Sequence, residues 1–168
     1  MKHNVRFLTQ AAVLAAAYAA LTHLQNLLLP GSASWAIQFR ISEALCVLAF
    51  FTPAAVPGLT VGCLIFNLTS GLALPLDFLL GSAATALAAA MMWLTRKMIL
   101  KGLPVFGLLM PALFNSLLVG WELSVYIGGG FGVNALYVAI GEVAVLLVLG
   151  APLYRIIQNR GLGRLMQR

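Results

Sequence analysis

The sequence predicts an all-α integral membrane protein with six transmembrane helices. The first supporting observation is composition. Of 168 residues, 62% are apolar and only 8% are charged, against roughly 25% charged in a soluble domain, and mean hydropathy is +1.00. A water-facing surface cannot be built from this inventory, so lipid must cover most of the outside. The second observation is length. A spanning helix takes about 20 apolar residues, so six take about 120, leaving only short loops and tails in a single membrane domain. The third is the placement of the bases between and beyond the apolar stretches, as in membrane-flanking loops. A net charge of +6 arranged in this way does not read as a nucleic-acid surface.

The segments follow in order. The first covers residues 5–29 and stops at Pro30-Gly31. Lys2 and Arg6 precede it, but it is longer than a signal-peptide core and no small-residue cleavage site closes it. The second covers 36–51. Thr52-Pro53 then reads as a helix start, with Thr52 as cap and Pro53 in the first turn, opening a third segment over 53–70. The fourth covers 77–95, after Pro75, and the fifth 104–126. Gly128-Gly129-Gly130-Phe131-Gly132 is a loop, and the sixth segment covers 134–157. With the N-terminus inside, Lys2, Arg6, Arg96, Lys97, Lys101, Arg155, Arg160, Arg164 and Arg168 are all cytoplasmic. Nine of the ten bases then lie inside and only Arg40 lies outside, which satisfies the positive-inside rule with one exception. The expected location is the cell membrane, multi-pass, with both termini cytoplasmic.

The four acids are Glu43, Asp77, Glu122 and Glu142. In this topology all four, with Arg40, fall in the outer half of the bundle. An intramembrane charge costs about 2.5–3.5 kcal/mol on insertion scales, so such residues face a cavity or a partner and mark function. Each also has a structural alternative. Arg40 and Glu43 share a helix face and can neutralise each other. Asp77 can cap a helix, and Glu122 can be solvated at the interface. Glu142, two turns into an apolar helix, is the hardest to explain structurally. Asn67 and Asn115 add amides, which are also suited to interhelical hydrogen bonds. Trp35, Phe39, Trp121, Tyr126 and Tyr137 lie at the same level. They form either an interfacial belt or a stacking wall for a flat, nitrogen-rich ring whose N–H edge a carboxylate accepts. Cys46 and Cys63 lack metal-ligand companions and read as packing residues.

The first helix carries two alanine tracks at i,i+4 spacing: Ala12, Ala16, Ala20 and Ala11, Ala15, Ala19. Small residues so spaced let another helix approach closely, either within the chain or in a partner membrane protein.

Together these residues resemble a known family. A six-helix chain of this length, with an alanine-rich first helix and an outward polar pocket, is similar to the substrate-binding S component of an energy-coupling-factor (ECF) transporter. Gln38-Phe39-Arg40-Ile41-Ser42-Glu43-Ala44-Leu45 resembles the signature of the QueT family of queuosine-precursor transporters. Phe51-Thr52-Pro53-Ala54-Ala55-Val56-Pro57-Gly58-Leu59, Gly62-Cys63-Leu64-Ile65-Phe66-Asn67, Asp77 with Gly81-Ser82 and Thr85, Asn115, and Gly141-Glu142 extend the resemblance. It implies an S-component-like bundle that captures a 7-deazaguanine such as preQ1 or preQ0, or queuine. It also implies a transmembrane coupling subunit and two cytosolic ATPases as partners, docked on Ala12, Ala16, Ala20, Ala15 and Ala19. The site residues it implies are Arg40, Glu43, Gln38, Asn67, Asp77, Asn115, Trp121, Glu122, Glu142 and Phe39. Glu142 or Glu43 would take the N–H edge, Arg40 would take the carbonyl or hold Glu43, and Trp121 or Phe39 would cover the ring face. No Walker A loop occurs, so ATP would be used by the partners, and no cofactor or metal is expected in this chain.

Competing readings are an S component for riboflavin, thiamine or biotin, a solitary facilitator, and a membrane-embedded enzyme. The last lacks the residues it needs: His3 and His23 are the only histidines, and no HExxH or GxSxG motif occurs.

Overall fold

The computed structural model describes residues 2–32, 38–71 and 73–167. Trp35 and the first two residues of the 36–51 segment lie outside the described residues. Among the described residues the chain is helical, with no named strand. The elements are α1 (Lys2–Leu28), a 3₁₀ helix (Ile41–Phe50), α2 (Ala55–Thr69), α3 (Asp77–Thr95), α4 (Val105–Leu108), α5 (Met110–Tyr126), α6 (Phe131–Val145), a π-helical turn (Leu146–Gly150), α7 (Ala151–Asn159) and α8 (Leu162–Gln167).

Four helical stretches are long and apolar enough to cross a membrane: Asn4–Leu28, Asp77–Thr95, Val105–Tyr126 and Phe131–Asn159. Two shorter apolar helices, Ile41–Phe50 and Ala55–Thr69, lie among them. Proline explains two departures from regular α-helix. Pro111 lacks an N–H and its ring crowds the carbonyl four residues back, and the expected 104–126 helix breaks at Leu109, just ahead of it. The last helix widens into its π turn immediately before Pro152, which gives that ring room.

The largest departure is in the 36–51 segment. Gln38, Phe39 and Arg40 are extended, and the helix that follows is 3₁₀, not α. Its bonds run i to i+3: Glu43 N–H to Arg40 O at 3.0 Å and Phe51 N–H to Leu48 O at 3.0 Å. A 3₁₀ helix rises about 2.0 Å per residue, so ten residues reach about 20 Å. This slim rod is the hub of the molecule. It touches α1, α2, α3, α6, the π turn and α7, and Ser42, Glu43, Ala44, Cys46, Val47, Leu48, Ala49 and Phe50 on it are buried.

Around the hub, α1 packs on α2, α2 on α3, α3 on α5 and α5 on α6. The α1–α2 seam is made of small residues. A Cβ at Gly62 would sit 2.7 Å from both Ala15 O and Tyr18 Cβ, and one at Gly58 would sit 2.7 Å from Ala11 O. The Ala11, Ala15, Ala19 track therefore packs inside the chain, with Ala15 and Ala19 buried, while Ala12, Ala16 and Ala20 are exposed. Of the alanines expected to dock a partner, Ala15 is already occupied by α2 and Ala19 is buried.

The bundle has two distinct ends. The start of α1, the turn at Phe51–Pro53, the end of α3, and α7 and α8 meet at one, which is the end that carries both termini. At the other, Gln25, Ser32, Phe39, Asn67, Asp77 and Glu122 come together through hydrogen bonds.

Candidate functional site

The four acids and Arg40 converge in the half away from the termini. Glu43, Glu122, Glu142, Arg40 and Asp77 are all 4% exposed or less. Each is held there by a different element, and the local sequence explains how.

Arg40 ends the extended stretch that leads into the 3₁₀ helix. Its Nη1 donates to Cys63 Sγ at 3.8 Å, and its guanidinium lies 5.9 Å from the centre of the Phe66 ring. Glycine at position 81 lets it approach α3. A Cβ there would lie 2.8 Å from Asn67 Nδ2, 3.9 Å from Asp77 Oδ1 and 4.0 Å from Arg40 Nη1. These distances bring the ends of α2 and α3 to one point beside the arginine. Glu43, one turn along the 3₁₀ helix, is engaged at both oxygens. The Tyr18 hydroxyl donates to Oε1, and the Cys46 thiol donates to Oε2 at 3.1 Å.

Asp77 and Glu122 each divide their roles. Asp77 Oδ2 accepts the Leu74 N–H at 2.9 Å and its backbone oxygen accepts Asn67 Nδ2 at 2.7 Å, which fixes the turn entering α3. Glu122 Oε1 accepts the Leu76 N–H at 3.1 Å. Asp77 Oδ1 and Glu122 Oε2 accept from no N–H or hydroxyl donor among the described residues, and the two carboxyl groups lie within hydrogen-bonding reach of each other. Glu122 is thus buried against the α3 turn and not solvated. Glu142 on α6 is within electrostatic reach of Glu43 and Arg40. Neither of its oxygens has a hydrogen-bond partner among the described residues. Asn115, seven residues before Glu122 on α5 and so on the same helix face, has neither amide atom paired among the described residues. Asn67 Oδ1 and Ser82 Oγ are likewise unpaired.

Acceptors outnumber donors among these unpaired atoms. A buried polar group without a partner costs about 1–3 kcal/mol, so a concentration of them at one level of an apolar bundle is a candidate recognition surface. Its chemistry suits a ligand rich in N–H donors that also carries an acceptor for an amide or guanidinium. Hydrogen bonds from α1 hold the stretch that enters the 3₁₀ helix. Gln25 Nε2 donates to Phe39 O and, at 2.9 Å, to Ser32 Oγ; its Oε1 accepts the Ile41 N–H at 2.8 Å. Phe39 N–H donates to Ser32 O at 3.0 Å, so both ends of the connection before the 3₁₀ helix are tied to α1. The buried Gln38 packs its backbone on Gly141, where any Cβ would strike the Gln38 carbonyl.

Eight of the residues expected at the site are therefore buried: Gln38, Arg40, Glu43, Asn67, Asp77, Asn115, Glu122 and Glu142. Phe39 and Trp121 are not gathered with them; they are 45% and 48% exposed. The aromatic rings at the cluster are Tyr18 and Phe66, both within 1% of full burial. Sequence reasoning missed both. The available signals were a lone hydroxyl in an alanine run and a phenylalanine next to Asn67. It also passed over Cys46 and Cys63 as packing groups, although each contacts a charged member of the cluster.

No curated protein and no solved structure matches the chain. Residues 8–159 match the QueT transporter family. With nearly its whole length matched, the chain belongs to the QueT transporter family.

Proposed function

We propose that this transporter-family chain is the substrate-capturing S component of an ECF importer, and that its cargo is a queuosine precursor: preQ1, preQ0 or queuine. One observation carries the reading. Glu142, Asp77, Glu122 and Asn115 present unpaired, mainly accepting atoms at a buried level beside Arg40. A 7-deazaguanine is a flat ring with an N–H edge and one carbonyl. Glu142 would accept the edge, Arg40 or Asn115 would donate to the carbonyl, and the Asp77–Glu122 pair would hold the aminomethyl cation of preQ1 by charge-assisted bonds. Glu43 serves instead to brace the 3₁₀ helix, since Tyr18 and Cys46 use both its oxygens.

In this reading the 3₁₀ helix and α2 complete six crossings with the four long helical stretches. The termini are cytoplasmic, so the carboxylate cluster is presented to the outside. A coupling subunit and two cytosolic ATPases supply the energy. The S component tips over in the membrane to carry the closed site inward.

Calorimetry on the purified protein with preQ1, preQ0, queuine, riboflavin and thiamine tests the cargo. Saturable binding of a deazaguanine with silence from the vitamins is the expected outcome. Binding of a vitamin would keep the S-component architecture and overturn the cargo.

A further inference from the structure

A basic cavity lies away from the carboxylate cluster. It has a volume of about 800 Å³ and opens at the end that carries the termini. Among the described residues three cations line it, Arg6 on α1 and Arg96 and Lys97 at the end of α3, together with the amides of Asn4 and Gln158, and no acidic side chain does. Its walls are fixed. Thr52 Oγ1 donates to Gln10 Oε1 at 2.8 Å, and Gln10 Nε2 donates to Met166 O at 3.1 Å, which ties α1 to the turn before α2 and to α8. Arg96 is preset in the wall. Its Nη1 donates to Trp93 O at 2.5 Å and its guanidinium lies 3.6 Å from the Trp93 ring centre, leaving the rest of its donor fork for an anion.

We infer that this cavity binds a phosphate group, and that the group is the headgroup of an anionic phospholipid. The phosphate follows from three bases and two amides without a carboxylate, a setting in which a phosphodiester accepts charge-assisted bonds. The lipid follows from the surroundings. Leu8, Leu94, Met98, Ile99 and Leu100 around the same helix ends are exposed, and Ile99 also lines the cavity. An acyl chain leaving the headgroup would lie on that apolar surface. Basic pockets between membrane helices are established sites for anionic headgroups. The site is separate from the carboxylate cluster and holds whatever the cargo is.

The test is native mass spectrometry of the detergent-purified chain with phosphatidylglycerol, phosphatidylcholine or inorganic phosphate added. The wild type should retain phosphatidylglycerol at collision energies that strip phosphatidylcholine. Each base is worth about fivefold in affinity for an anionic surface, so Lys97→Gln should weaken retention about fivefold and Arg6→Gln with Lys97→Gln about 25-fold. Lys97 and Arg6 are both exposed and come from different parts of the chain, just past α3 and on α1. A thermal melt on each variant separates lost binding from lost folding. Equal retention of both lipids, or retention unchanged in the folded double variant, would overturn the inference. Displacement of phosphatidylglycerol by millimolar inorganic phosphate would overturn the lipid assignment.

Discussion

Glu142 and Glu43 are the same residue type in different circumstances. Glu43 is braced by a tyrosine and a thiol, whereas both Glu142 oxygens lack a partner in a site sealed from water. Replacing Glu142 by Gln keeps the size and turns half the carboxylate into a donor. Calorimetry should register a loss of more than tenfold in deazaguanine affinity, about 1.4 kcal/mol; unchanged affinity would remove Glu142 from the site. Asn115 allows a sharper test. Its amide has no partner at either atom, and leaving a buried polar group unmade costs about 1–3 kcal/mol. Leucine is of similar size and has no polar atom to satisfy. Asn115→Leu should therefore melt no lower than the wild type without ligand, and should bind at least tenfold more weakly with it. A variant that melts lower and binds normally would show Asn115 to be structural. The residue types at the site were legible because only four acids occur in the chain, and each is costly in lipid. Tyr18 was not legible, because nothing in a run of alanines shows that its hydroxyl faces a glutamate on another element.

Among the elements, those with punctuation at their ends could be read from sequence. Pro75 precedes α3 and Asp77 stands in its first turn, while α6 follows a glycine run. The 3₁₀ helix has no such marker. Ile41–Phe50 is apolar on nearly every side because neighbours surround it, and a segment buried all round shows no period from which to tell 3₁₀ from α. Its placement depends on α6 at one point, where Gly141 lies against the Gln38 backbone. A methyl group there meets a carbonyl and not a flexible side chain, so one of the two elements must move. Glu142 is the next residue on α6, and Arg40 is two residues past Gln38. Gly141→Ala should lower stability by about 1–3 kcal/mol, the usual cost of overpacking, and abolish saturable ligand binding while the protein remains helical by circular dichroism. Binding at wild-type strength would show that the site tolerates movement of α6 against this segment.

Across the whole molecule, charge and packing divide the bundle between a carboxylate-rich end and a basic end, and α1 runs the length of both. The helix has two alanine faces that differ in what they meet. Ala15 is packed against Gly62 on α2 and Ala19 is buried, whereas Ala12, Ala16 and Ala20 are exposed. Composition alone made the tracks equivalent, because the Gly58–Gly62 pair that claims one of them lies more than 30 residues away and pairs with it only in the fold. An exposed small-residue face on a membrane helix allows close approach of another helix, and under the proposed function that helix belongs to the coupling subunit. Tryptophan at the two adjacent positions separates internal from external packing. Ala15→Trp should disrupt the α1–α2 seam, lowering the melting temperature and losing ligand binding together. Ala16→Trp should leave both unchanged and reduce co-purification with the coupling subunit and ATPases by at least tenfold. If Ala16→Trp still co-purifies at the wild-type level, the exposed alanine face is not the docking surface, and the coupling subunit must engage another side of the bundle.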